Sequence, residues 1–230
     1  MVSEVTERRI DLACLILLPV SFVIMGILGM AGYCMHKDPG YATTVQFLSI
    51  FVVMILPVMR LKKIFMAPYW FVFVMTLNIY MFSIMLFLGV YDSIWWWDHF
   101  SHWCSGVLVT MVVFMALLVI KNYTTRISMP NGVLLFLTFM FGVALGCIWE
   151  MWEEGMDRVF GKGMMVYDAF DTLGDLWMDL VGAGTMVLLG AIILHFKTPE
   201  QIVGRIGLDH KMKRIGGRWD RRCDGLHKKK

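Results

Sequence analysis

Charge is what this sequence has least of. Only 17% of its 230 residues are Asp, Glu, Lys or Arg, and 58% are hydrophobic; soluble domains carry about 25% and about 45–50%. That shortage excludes an ordinary water-soluble domain, because the apolar residues gather into long runs. Metal-finger spacing is missing too. The five cysteines, Cys14, Cys34, Cys104, Cys147 and Cys223, form no CxxC. Four of them lie in or beside apolar runs, where cysteine behaves as a small hydrophobe. No cleavable signal peptide is evident: the first apolar run, 10–35, is too long for a signal core and lacks a clear cleavage site. No Ser-His or Cys-His pair is convincing, no Glu-x-x-His of the di-metal bundles occurs, and no inverted repeat is visible.

What is present is a series of membrane-length apolar runs. A bilayer core about 30 Å thick needs roughly 20 apolar residues per helix. The runs fall at 10–35, 42–60, 68–90, 98–120, 131–153 and 171–196, separated by breakers such as Lys37-Asp38-Pro39-Gly40 and Pro130-Asn131-Gly132. The expected fold is therefore all-α, a polytopic bundle of about six transmembrane helices over residues 1–196, followed by a basic tail, 197–230. Pro19 and Pro57 lie inside runs, which bundles tolerate.

Flanking cations set the orientation. Arg8 and Arg9, then Arg60, Lys62 and Lys63, then Lys121 and Arg126, then eleven in the tail all fall on one side of a six-span chain. The alternate loops hold only Lys37, Arg158 and Lys162. The expectation is a multi-pass protein of the cytoplasmic (plasma) membrane with both termini cytoplasmic. The tail's charge then follows the positive-inside rule and favours an anionic inner leaflet over nucleic acid. Thr198-Pro199-Glu200-Gln201 reads as a capped helix start.

The same orientation sends the acids outward. Asp92, Asp98, Glu150, Glu153, Glu154, Asp157, Asp168, Asp171, Asp175 and Asp179, ten of the chain's eighteen acids, lie in the outer loops and helix ends with His99 and His102. Spacings of three and four place side chains on one helix face: Asp98 with His102; Glu150 with Glu154 and Asp157; Asp171 with Asp175 and Asp179. Asp179 lies about 12 Å further along its helix than Asp171, at about 1.5 Å per residue, well inside the apolar layer. A charge there costs at least about 2.5–3.5 kcal/mol, so these carboxylates should face the bundle interior and share protons or a cation. Carboxylates with imidazole suit a divalent metal, Zn, Mn, Fe or Mg. The candidate ligands are Asp98, His102, Glu150, Glu154, Asp171, Asp175 and Asp179, with Glu150 and Asp175 as candidate catalytic carboxylates. Plainer readings stand beside this one. Glu153, Asp168 and Asp92 fit solvated loop charges, Asp98 and Asp171 fit helix caps, and the remainder fit helix–helix hydrogen bonding. Met151, Met156, Met164 and Met165 fit hydrophobic filling. Cys104 and Cys147 are near the acids in sequence, as ligands or as a pair. Gly142 and Gly146 form a GxxxG that brings the fifth and sixth runs together.

Asp98-His99-Phe100-Ser101-His102, Glu150 in Ile148-Trp149-Glu150-Met151-Trp152-Glu153, and Asp175, Asp179 and Gly182 in the following run resemble the YjdF-like bacterial membrane proteins. More distantly they are similar to the VanZ-like group, which often has Asn where this chain has Asp179. The resemblance covers roughly residues 95–190 and implies a shared polar site without an assigned reaction. Three functions follow as expectations: a metal-dependent enzyme acting on a lipid-linked phosphate or envelope precursor, with membrane lipids as partners; a cation or proton-coupled transporter; or a non-catalytic partner or sensor with a structural polar cluster.

Overall fold

The computed structural model describes residues 69–123, 127–160 and 169–204, with scattered positions between 9 and 62. The chain divides into two compact units, Met1–Trp97 and Asp98–Lys230. In the first, α1 spans Tyr69–Phe87 and a short α2 spans Val90–Ser93. The Leu88 amide still donates to the Ile84 carbonyl at 2.9 Å. Gly89 then takes φ +67°, a conformation that a side chain disfavours, and the chain turns into α2. There the Ser93 hydroxyl donates back to the Gly89 carbonyl at 2.9 Å. The expected spans at 10–35 and 42–60 lie largely outside the described residues.

In the second unit, α3 spans Trp97–Tyr123, α4 Asn131–Phe160, α5 Ala169–Phe196 and α6 Pro199–Val203. The architecture is all-α, with no strand among the described residues. α3, α4 and α5 are each long and apolar enough to cross a membrane, and α1 contains a shorter apolar segment, Val72–Met85. Their outward faces carry exposed Phe136, Ile148, Leu173, Leu188 and Phe196, a surface suited to lipid rather than water. Six spans were expected; the described residues carry these three and the shorter segment.

The expected helix bounds match to within a turn except at the end of α4. The apolar run stops near Trp152, yet the helix continues to Phe160. Glu153, the last residue of the expected run 131–153, is therefore a helical residue and not the solvated loop charge it also fitted. Asp92 lies in α2, and Asp168, Lys162, Met164, Met165 and the tail beyond Gly204 lie outside the described residues.

Two helical hydroxyls bond back to their own helix, whereas that of the fully buried Thr110 has no hydrogen-bond partner. Thr138 donates to the Leu134 carbonyl at 2.8 Å, and Thr185 to that of Val181 at 2.8 Å. Glycines set the close approaches. A methyl group on Gly182 would lie 2.7 Å from the Trp103 carbonyl oxygen, so α5 rides directly on the α3 backbone. One on Gly146 would lie 2.5 Å from Asp179 Oδ2, so α4 and α5 close on each other around that carboxylate. The GxxxG therefore does bring the fifth and sixth expected runs together, though its first glycine, Gly142, meets Thr110 of α3 instead. At the other end, α3–α5 meet around Phe114, Leu118, Leu134 and Met186, all 3% exposed or less. Beyond α5, Thr198 and Gln201 form a reciprocal capping box with Pro199 in the first turn of α6, as the sequence implied.

Candidate metal centre

Each of the three long helices contributes one or more turns to a polar cluster at the same end of the second unit. Asp98, His99 and His102 lie in the first two turns of α3. Glu150 and Glu153 come from the C-terminal half of α4. Asp171, Asp175 and Asp179 come from the first three turns of α5. The i, i+4 spacing recognised in the sequence orients these side chains into the helix contact.

His102 is the hub. It is 6% exposed, and Glu150, Asp175 and Asp179 are 6%, 4% and 5% exposed. Its Nδ1 lies 3.5 Å from Glu150 Oε1 and 3.5 Å from Asp179 Oδ2, and its Nε2 lies 3.9 Å from Asp98 Oδ1. One ring nitrogen carries at most one proton, so it cannot serve two carboxylates. Both of those oxygens, Glu150 Oε1 and Asp179 Oδ2, are buried without a hydrogen bond. Buried polar atoms in folded proteins nearly always have a partner, and a lone buried carboxylate oxygen costs more than a neutral one.

His99 makes the second anchor. Its Nδ1 sits 2.8 Å from Asp175 Oδ1, in a pocket opened by Gly174, where a methyl group would come within 2.6 Å of His99 Cε1. Three sets of side chains have donor atoms all within 4.8 Å of one another: Asp98, His102 and Asp175; His99, Asp171 and Asp175; His102, Glu150 and Glu153. Nitrogen and carboxylate oxygen in such sets suit a divalent first-row metal or Mg.

Of the residues expected to ligate, Asp98, His102, Glu150, Asp171 and Asp175 fall in these sets, and Asp179 touches the hub from below. Glu154 does not join them. Its side chain is 41% exposed and accepts from Arg158 Nη2 one turn on. His99 and Glu153 join instead. Asp157 is buried on the same helix. Cys104 and Cys147 are free thiols rather than a pair, and Cys147 is exposed. Met151 is also exposed. Arg158 is engaged by Glu154, and the ion-pair partners of Asp175, Glu150 and Asp179 are imidazoles.

A sequence profile of predicted membrane proteins, the family designated DUF2238, matches residues 12–196. The chain belongs to the DUF2238 family. The match takes in the whole polar cluster and the first unit from residue 12 onward. A relative of this DUF2238 protein, an uncharacterized protein of Thermotoga maritima, is 28% identical over 110 residues, 47% of this chain and 55% of the relative. The aligned region thus spans about half the length of that relative. No solved structure matches.

Proposed function

We propose that this DUF2238 protein holds a divalent cation in the polar end of its bundle and uses it to hydrolyse a phosphate ester carried by a membrane lipid. The observation that carries the reading is the pair of buried oxygens, Glu150 Oε1 and Asp179 Oδ2, each 3.5 Å from one imidazole nitrogen and neither hydrogen-bonded. At about 2.5–3.5 kcal/mol or more per membrane charge, several such groups need a counter-charge that no nearby Lys or Arg provides among the described residues.

A divalent ion held there would supply Lewis-acid chemistry, activating water and offsetting charge on a phosphoryl oxygen. The chain's own residues divide the remaining work. His102, Asp98 and Asp175 hold the position. Glu150 accepts the proton of the attacking water, whose oxygen bonds to phosphorus as the bond from phosphorus to the lipid oxygen breaks, and the leaving oxygen takes that proton. Exposed Trp149, Trp152 and Trp177 flank the cluster, and tryptophan prefers the depth of lipid headgroups. A lipid phosphate would therefore reach the cluster sideways from the bilayer. The cation pattern of the loops supports the outer face of the plasma membrane as that side.

A transporter needs polar groups throughout the bundle. Here they run from His102 to Thr110 and Thr138, and then the contact is filled by Phe114, Leu118 and Leu134, which weighs for a site open at one end. The test is the metal content of detergent-purified protein, measured by mass spectrometry, beside Glu150→Gln. Near-stoichiometric divalent metal in the wild type, with metal-dependent phosphate release from lipid phosphates that Glu150→Gln abolishes, is expected. Wild-type protein that neither retains nor takes up metal would overturn the reading.

A further inference from the structure

The ligand sets overlap in a way that a single cation does not use. Asp98, His102 and Asp175 form one set, and His99, Asp171 and Asp175 another. The two share only Asp175, and each adds one imidazole from α3 and one further aspartate. A carboxylate has two oxygens, and in two-metal sites, where ions sit roughly 3.5–4 Å apart, a symmetric pair of ions clamps both the attacking and the leaving oxygen.

Charge points the same way. Asp98, Glu150, Glu153, Asp175 and Asp179 bring five carboxylates to the two histidines. One divalent cation offsets two of those charges and two cations offset four, leaving a remainder that imidazolium or shared protons can carry. The unbonded, nine-tenths-buried oxygens of Glu150 and Asp179 lie on the His102 side. That side is therefore the deeper position, and the His99 side the shallower one.

We infer that the cluster is built for two divalent cations bridged by Asp175, with Asp98 and His102 completing the deeper position and His99 and Asp171 the shallower, and that a lipid phosphate group binds across both. This rests on the metal reading above and adds the second position, its ligands and the mode of phosphate binding. Gly174 belongs to the same design, since the space it leaves is where the His99 ring sits.

The experiment is reloading of chelator-treated full-length protein with Mn(II), read by metal stoichiometry and electron paramagnetic resonance. The wild type should take up two Mn(II) per chain and give an exchange-coupled spectrum. Asp171→Asn should take up one and give an uncoupled six-line spectrum. Gly174→Ala removes no ligand but crowds His99, and should likewise retain one ion, which guards against a folding failure in the aspartate variant. Wild type saturating at one Mn(II) overturns the second position and leaves the single-metal reading standing. Two coupled ions surviving in both variants overturns the assignment of His99 and Asp171. Wild type taking up no Mn(II) overturns both readings together.

Discussion

Adding one methyl group at Gly146 tests the geometry without replacing a candidate ligand. In Gly146→Ala the new carbon would lie 2.5 Å from Asp179 Oδ2 and 2.8 Å from both Asp179 Cβ and Cγ. Ordinary contact begins near 3.4 Å, so α4 and α5 must separate by roughly 0.6–0.9 Å, because the Asp179 Cβ is fixed to its backbone. Overpacking of this kind costs roughly 1–3 kcal/mol. The effect on metal should be larger, since ligand distances tolerate only about ±0.2 Å and Glu150 sits one turn beyond Gly146 on the helix that moves. Loss of a supporting interaction typically weakens metal binding about 10–100-fold, and that range is expected here. Gly155→Ala on the same helix is the control, because nothing lies within 4 Å of its new carbon. It should keep the metal and gain up to about 1 kcal/mol from helix propensity. The assay is metal affinity by competition with a fluorescent chelator, alongside thermal unfolding by circular dichroism. Wild-type affinity and midpoint in Gly146→Ala would refute the claim that Asp179 is pressed between α4 and α5.

Other expectations follow from the same contacts. Gly182→Ala, which drives a methyl group to 2.7 Å from the Trp103 carbonyl oxygen and 3.0 Å from the Val107 amide nitrogen, should lower the unfolding midpoint more than Gly146→Ala, because both obstacles are backbone. Glu154→Gln should leave metal content unchanged and cost no more than about 0.5 kcal/mol, the scale of an exposed i, i+4 pair; metal loss would return Glu154 to the site. Thr198→Ala removes the cap of α6 and should cost about 1 kcal/mol locally, seen as faster amide exchange over 199–204. The Glu200 carboxyl is held below its usual pKa by a hydrogen bond to its own backbone amide and by the Thr198 side chain. A depressed carboxylate stabilises above its unfolded pKa and loses that contribution as pH falls through the folded one, so α6 protection should drop only on acidification below the ordinary carboxylate range.

The long helices are legible because apolar length is a crude and robust signal, and the apolar runs end at 131 and 196, where the helices do. The end of α4 is not legible, because its last two turns are acidic. They stay helical where Glu153 turns to the shared cluster and Glu154 pairs with Arg158, and neither partnership is visible in hydropathy. Within the site, spacing along a single helix located Asp98 with His102 and Asp175 with Asp179. It could not assign His99, which is one residue from Asp98 and about 100° around α3 at 3.6 residues per turn. Only the arrival of α5 brings His99 to Asp175. The nearest clue in the chain was Gly174, a mid-helix glycine beside a candidate ligand, whose missing side chain is the space the imidazole fills.

The fill of Phe114, Leu118 and Leu134 below Thr110 and Thr138 has an electrical consequence. Membrane voltage drops across low-dielectric material, so it concentrates over that apolar plug rather than along the polar end. A charge crossing the whole field exchanges roughly 2.3 kcal/mol per 100 mV, but an ion entering as far as His102 traverses little of it. On the metal reading proposed above, occupancy of the centre would be insulated from the energised state of the membrane, and a cation bound there would be held equally whether the bilayer is polarised or not.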